Sequence, residues 1–194
     1  MFWAGSHTGV YAAQHTSVHF CGLAVGGSVI GTPTDGNALT NPTRLQKVYD
    51  CNAKVVTVLV GANDLVSWNP AWTTDAWLER LWGYIGTLKA KGYKVAVGTI
   101  LPQYQPTNSV ANYTADFNAR RKVVNSAIKA AVGTKIDAVI DFAADPVMGP
   151  DAAAQNKDLY YDGIHPTDSC GVGCGGQGKM YAIYAPVVDK LLSQ

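Results

Sequence analysis

The chain has 194 residues, enough to bury a core of its own and few enough to read as one domain, 1–194. Hydrophobic residues make up 47% and charged ones 15%, the balance of a globular protein with a lightly charged surface. A net charge of +1 carries no basic excess, so neither nucleic acid nor an anionic membrane is an expected partner, and no apolar run approaches the roughly 18 residues of a membrane span.

The opening Met1-Phe2-Trp3-Ala4 has no basic n-region and no long apolar h-region, so it does not read as a signal peptide. It reads as the tail of a first strand that stops at Gly5-Ser6. Residues 8–15 suit a short helix or a loop. Residues 17–21 (SVHFC) alternate and are rich in strand formers, which predicts a second strand. It runs into the glycine-rich Leu23-Ala24-Val25-Gly26-Gly27-Ser28, and residues 32–42 are loop. Residues 42–49 (PTRLQKVY) predict a helix with Leu45, Val48 and Tyr49 on one face.

Residues 54–60 (KVVTVLV) are the strongest strand signal. They are β-branched and almost continuously apolar, as in a parallel strand buried on both faces. That strand ends at Gly61-Ala62-Asn63-Asp64. A long helix is predicted over 73–91, capped by Thr73 or Thr74, with Trp77, Leu81, Tyr84, Ile85 and Leu88 recurring at threes and fours. Gly92 ends it. A strand over 93–100 stops before Pro102, a second long helix covers 112–132, and a last strand covers 136–141 (IDAVID). Asp162-Gly163-Ile164-His165-Pro166-Thr167 is a turn, because Gly relaxes the backbone and Pro stops a helix. A helix over 177–192 closes the chain.

About five strands alternate with helices, which predicts an α/β fold: a parallel sheet with helices on both faces. Such sheets bind ligands outside the carboxyl ends of their strands. Ser6, Gly27, Asn63 and the Asp162/His165 turn all follow predicted strands, so the polar groups gather on one edge of the sheet.

Cys21, Cys51, Cys170 and Cys174 can form two disulfides, and Gly171-Val172-Gly173 leaves the last two free to meet. Paired cysteines point to an oxidising compartment, hence a secreted or periplasmic protein. Zinc is the alternative, but Cys-x3-Cys has no matching second pair, so no metal is expected.

A carboxylate three residues ahead of an imidazole is two-thirds of a hydrolytic triad: Asp162 would orient His165 as base. The nucleophile candidates at strand ends are Ser6, Ser28 and Ser67. Ser6, behind Gly5, is the best placed, with a helix cap as its structural alternative. The G-x-S-x-G elbow is absent. An acyl-transfer site also needs oxyanion donors, and the Gly27 N–H and the Asn63 amide are the candidates. Asn63-Asp64 would otherwise be a turn or cap. Neither G-x-G-x-x-G nor a P-loop occurs, so no nucleotide or flavin cofactor is expected. Trp72, Trp77 and Trp82 fit core packing; Trp68, just past Asn63-Asp64, is a candidate flank for substrate.

Gly61-Ala62-Asn63-Asp64 after a buried strand, with Asp162-Gly163-Ile164-His165-Pro166 near the C-terminus, resembles the SGNH hydrolases, also called GDSL esterases and lipases. The glycine block 23–28 and the strand ending Thr99-Ile100-Leu101-Pro102 match as well, so the resemblance spans almost the whole chain. It implies a flavodoxin-like three-layer α/β/α sandwich with five parallel strands. It also implies Ser6 as nucleophile, His165 as base, Asp162 as its partner, and an oxyanion hole from the N–H groups of Ser6 and Gly27 and the amide of Asn63. The implied reaction is hydrolysis of short acyl esters without a cofactor. The substrate reading is an acetyl group on carbohydrate first, a lysophospholipid or thioester second. A binding domain without activity, or an FMN binder, is the competing class. The family's first block reads Gly-Asp-Ser where this chain has Ala4-Gly5-Ser6. Residues 168–177 (DSCGVGCGGQ) stand as an insertion before the last helix, read as a disulfide-pinned loop at the rim of the site.

Overall fold

The computed structural model describes residues 4–66, 73–109 and 111–194. In chain order its regular elements are α1 (His7–Gln14), α2 (Pro42–Asp50), β1 (Val55–Val58), α3 (Thr74–Ala90), β2 (Lys94–Gly98), α4 (Tyr113–Ala130), β3 (Ala138–Ile140) and α5 (Gly175–Leu192). Two short 3₁₀ turns, Phe142–Ala144 and Asp151–Gln155, lie between β3 and α5. The three strands are parallel in the order β1-β2-β3, with Val55 opposite Lys94 and Ala96 opposite Ala138.

Side chains on a strand alternate between faces, and here each face carries its own helix layer. Val95 and Val97 of β2 pack with Trp77, Leu81, Ile85 and Leu88 of α3 and with Phe117, Val124 and Ile128 of α4. Between them, Ala96 packs with Tyr11 of α1 and with Met180, Tyr184 and Val188 of α5. The result is a central parallel sheet flanked by helices on both sides. The helices start where their sequences provide caps. Thr73 accepts the Ala76 N–H ahead of α3, and Asn41 accepts the Thr43 N–H ahead of α2, whose first residue is Pro42. Leu45, Val48 and Tyr49 of α2 pack on the α3–α4 core, as their spacing predicts.

Two strand expectations need correction. Three strands, not five, are present among the described residues. Residues 17–21 run irregularly, with no strand. Alternation is a local signal, whereas a strand also needs a ladder partner. Here Phe20 packs against the α1–α5 core and Cys21 is bonded to Cys51, so the pattern has another cause. Of the first predicted strand, Phe2 and Trp3 lie outside the described residues and Ala4 is in a turn. The second disulfide joins Cys170 to Cys174. With all four cysteines paired, the zinc alternative has no ligands left. No helix among the described residues is long and apolar enough to cross a membrane.

Candidate active site

The Asp162 carboxylate organises its own turn. Oδ1 accepts the N–H groups of Ile164 (2.9 Å) and His165 (2.8 Å), and Oδ2 lies 2.7 Å from His165 Nδ1. Burial pushes the Asp162 pKa up, but the hydrogen bonds from the His165 amide and ring and the Ile164 amide outweigh it and hold the pKa below the ordinary carboxylate value. Nδ1 is the ring nitrogen that faces Asp162, Nε2 points away from it, and the side chain is 60% exposed. Gly163 sits at φ +86°, and a Cβ there would lie 2.3 Å from the Tyr104 carbonyl oxygen. Both its left-handed backbone and this close approach require glycine.

A second cluster forms under the glycine-rich loop. Gly27 is at φ +72° with open space where a side chain would be. The Asn63 amide donates to the Ser28 carbonyl at 3.0 Å, and Asp64 Oδ1 accepts the Ile30 N–H at 2.8 Å. Adjacent residues thus hold the loop on both sides of Val29. An amide has two N–H donors, so one can brace the loop while the other serves a ligand. Gly61 allows the tight exit from β1, because a Cβ there would meet Ile100 Cδ1 at 2.4 Å. Asp64 is buried, and burial raises its pKa to about 6 against the pull of the Ile30 hydrogen bond. Its Oδ2 and the Trp77 indole nitrogen are both buried short of hydrogen-bond geometry, although the indole N–H still draws the pKa down a little. The Ser28 hydroxyl donates to the Val25 carbonyl and accepts from Arg44, so this candidate nucleophile braces the loop.

Ser6 is the N-cap of α1: its Oγ accepts the Gly9 N–H at 3.0 Å and lies 3.2 Å from Thr8 Oγ1. The partial positive charge of a helix N-terminus favours negative charge developing on that oxygen. Ser6 joins the His165 turn at one remove. Gln177 Oε1 accepts the His7 N–H, and the Gln177 N–H donates to the Thr167 carbonyl.

The clusters are linked along one edge of the sheet by the segment after β2. Gln103 donates to the Ala62 carbonyl, the Tyr104 N–H donates to Gly163, and the Gln105 side chain donates to the Asp162 carbonyl. That segment is in turn held by α4. Asn125 makes two hydrogen bonds to the Ile100 backbone, Asn118 makes two to Gln103, and the buried Arg121 reaches the Ile100 and Gly149 carbonyls. Asn118, Arg121 and Asn125 were missed as site supports. Their signal was polar residues at three- and four-residue spacing on a helix face that is otherwise apolar. Trp68 and Ser67 lie outside the described residues.

The match to known sequences is broad. The model of the GDSL-like lipase/acylhydrolase family matches residues 4–169, which include Ser6, Gly27, Asn63, Asp162 and His165. The chain belongs to this family. Among solved structures it resembles a GDSL-like lipase from Bacteroides thetaiotaomicron, with a TM-score of 0.56 and 20% identity. The likeness covers 76% of this chain and 66% of that one, and at this identity it speaks for the fold. No curated protein matches. The GDSL-like family block has Asp before its serine; here a Cβ on Gly5 would meet the Asp168 side chain at 3.0 Å. The Asp168 side chain thus lies against Gly5, the position where the family block has its Asp. The match ends at residue 169, before the Cys170–Cys174 disulfide and α5.

Proposed function

We propose that the chain is a serine esterase acting on short acyl esters, with the acetyl groups of a decorated carbohydrate as the first substrate class. Ser6 Oγ attacks the ester carbonyl while His165 Nε2 takes its proton, and Asp162 steadies the imidazolium that forms. The oxyanion accepts hydrogen bonds from the N–H groups of Ser6 and Gly27 and from the Asn63 amide. His165 returns the proton to the departing alcohol, and water then repeats the cycle on the acyl-enzyme. The observation that carries this reading is the 2.7 Å hydrogen bond from His165 Nδ1 to Asp162, on a histidine whose side chain is 60% exposed. Two disulfides support a role outside the cytoplasm.

The test is hydrolysis of p-nitrophenyl acetate together with labelling by a serine-directed fluorophosphonate. Ser6→Ala is expected to lose both, with kcat falling by about 10⁴-fold or more, the scale at which removing a triad member acts. Full activity in Ser6→Ala, or an unlabelled but folded wild type, would sink the assignment.

A further inference from the structure

Both peptide groups that flank Ser6 are held by the stretch of chain that follows His165. The Gly5 carbonyl, in the peptide whose N–H belongs to Ser6, accepts the Ser169 N–H at 3.0 Å. The His7 N–H, in the peptide that leaves Ser6, donates to Gln177 Oε1 at 2.9 Å. That backbone N–H can only donate, so it fixes which end of the Gln177 amide faces it. The same Oε1 lies 2.8 Å from His7 Nδ1, so Nδ1 carries the proton and donates as well. One buried oxygen thus receives two hydrogen bonds from the residue after the serine. The His7 ring is further enclosed edge-on by Phe142 and Tyr184, at 5.5 and 5.2 Å.

The backbone of Gln177 faces the other way. Its N–H donates to the Thr167 carbonyl at 2.9 Å, and the Gly176 N–H before it donates to Thr167 Oγ1 at 2.8 Å. Thr167 is two residues past His165. Gln177 therefore has one hand on the peptide after Ser6 and the other on the strap that carries His165. The two His7 donors meet at its oxygen, and a donor enclosed by protein and left without an acceptor is costly. A side chain at this position has to present an acceptor oxygen at that reach.

We propose that Gln177 is a positioning residue of the esterase site, setting Ser6 and His165 at a fixed separation by clamping the Ser6–His7 peptide to the Thr167 strap. The proposal rests on the esterase reading above and assigns a role to a residue beyond the stretch the family model matches. A nucleophile and base must stay within hydrogen-bond reach through the reaction, and a misplacement of about 1 Å costs on the order of 10²-fold in rate. The clamp touches neither the acyl group nor the alcohol, so its loss is felt in kcat and not in substrate binding.

The experiment uses the full chain, with p-nitrophenyl acetate as substrate and thermal unfolding measured alongside. Gln177→Met keeps the volume and removes the acceptor. It is expected to lower kcat by about 10²-fold with KM changed less than about 3-fold. Gln177→Glu keeps an oxygen at the same reach and is expected to stay within about 5-fold of the wild type. If Gln177→Met does not fold, His7→Phe carries the test. It keeps the ring packing and removes only the ring's hydrogen bond, so kcat should fall several-fold at unchanged KM. A Gln177→Met enzyme with wild-type kcat, a loss that appears in KM, or a Gln177→Glu enzyme as poor as Gln177→Met would each overturn the clamp. In all three cases the wild type still hydrolyses the ester through Ser6. A wild type without Ser6-dependent hydrolysis fails instead at the esterase reading.

Discussion

A Cβ added to Gly5 would lie 3.0 Å from Asp168 Cγ and 3.1 Å from its Oδ2. Gly5 is not among the glycines with positive φ, so its backbone would accept a side chain and only the neighbour objects. The obvious way to restore the family block, Gly5→Asp, would set two carboxylates side by side against the start of α1. Asp168 is exposed and can swing away, so the cost is modest, of the size that exposed charge pairs reach, roughly 0.5–1 kcal/mol. Gly5→Asp alone is expected to lower stability. In an Asp168→Ala background the same change should be nearly neutral. A double-mutant cycle by urea unfolding measures the coupling. Additive effects of the two changes would mean that the two positions do not share the space.

The disulfides act on elements. Cys21–Cys51 closes a 30-residue separation that includes the glycine-rich loop and α2, whereas Cys170–Cys174 closes only 4. By chain entropy the first contributes about 3.5 kcal/mol and the second about 2. Replacing the first pair with alanine should therefore give the larger loss in urea midpoint. Replacing the second should give the larger loss in kcat, because it lies between Ser169 and Gln177, the two residues that grip the peptides around Ser6. The reverse order in either measurement would contradict this division. Legibility divides along the same line, between local and distant causes. The strands over 54–60, 93–100 and 136–141 were readable because each run is rich in β-branched and apolar residues, and the sheet contains part of all three, although only β2 is buried along most of its length while β1 and β3 are half-buried and Leu59 is exposed. Residues 17–21 misled because Phe20 gives strand-like alternation through packing on α1 and α5. The Asp162/His165 pair was readable because its geometry closes within four residues around a glycine. Gln177 was not, since its partner His7 is 170 residues away and nothing near it in the chain marks it. The spacing of Cys170 and Cys174 marks their disulfide, but nothing local marks the hydrogen bonds that join Ser169 and Gln177 to the chain around Ser6.

Across the whole molecule, two enclosed ionisable groups flank the site and pull its pH response in opposite directions. Burial raises Asp64 to about 6, so from about pH 4 upward the folded protein retains a proton that the unfolded chain has released. Stability from this group therefore falls as pH rises through that window and levels off above it. Enclosure lowers the His7 pKa below 6.5 even though the Gln177 hydrogen bond pulls it up, so the unfolded chain gains a proton that the folded protein refuses. Stability from His7 falls as pH drops below 6.5. Where the two windows overlap, between the ordinary carboxylate and imidazole values, the two slopes oppose each other. The lowered carboxyls Asp137, Asp151 and Asp162 do not interfere. Burial pushes each up, but Lys89, then Lys122 with Arg121, then His165 hold them below 3.8, so their share is lost only at more acidic pH. Asp64→Asn removes one slope and leaves the other. Relative to wild type, the variant should gain about 2 kcal/mol between about pH 4.5 and 7.5 and nothing further above that. A carboxyl raised from 3.8 to about 6 is worth roughly 3 kcal/mol in all, and part of this is already present at the lower pH. Urea unfolding at three pH values reads this directly, and a constant offset between the two proteins would contradict it. The position of Asp64 gives the cost a purpose. Once ionised, it holds the Ile30 N–H through a charge-assisted bond and so braces the segment that follows the glycine-rich loop.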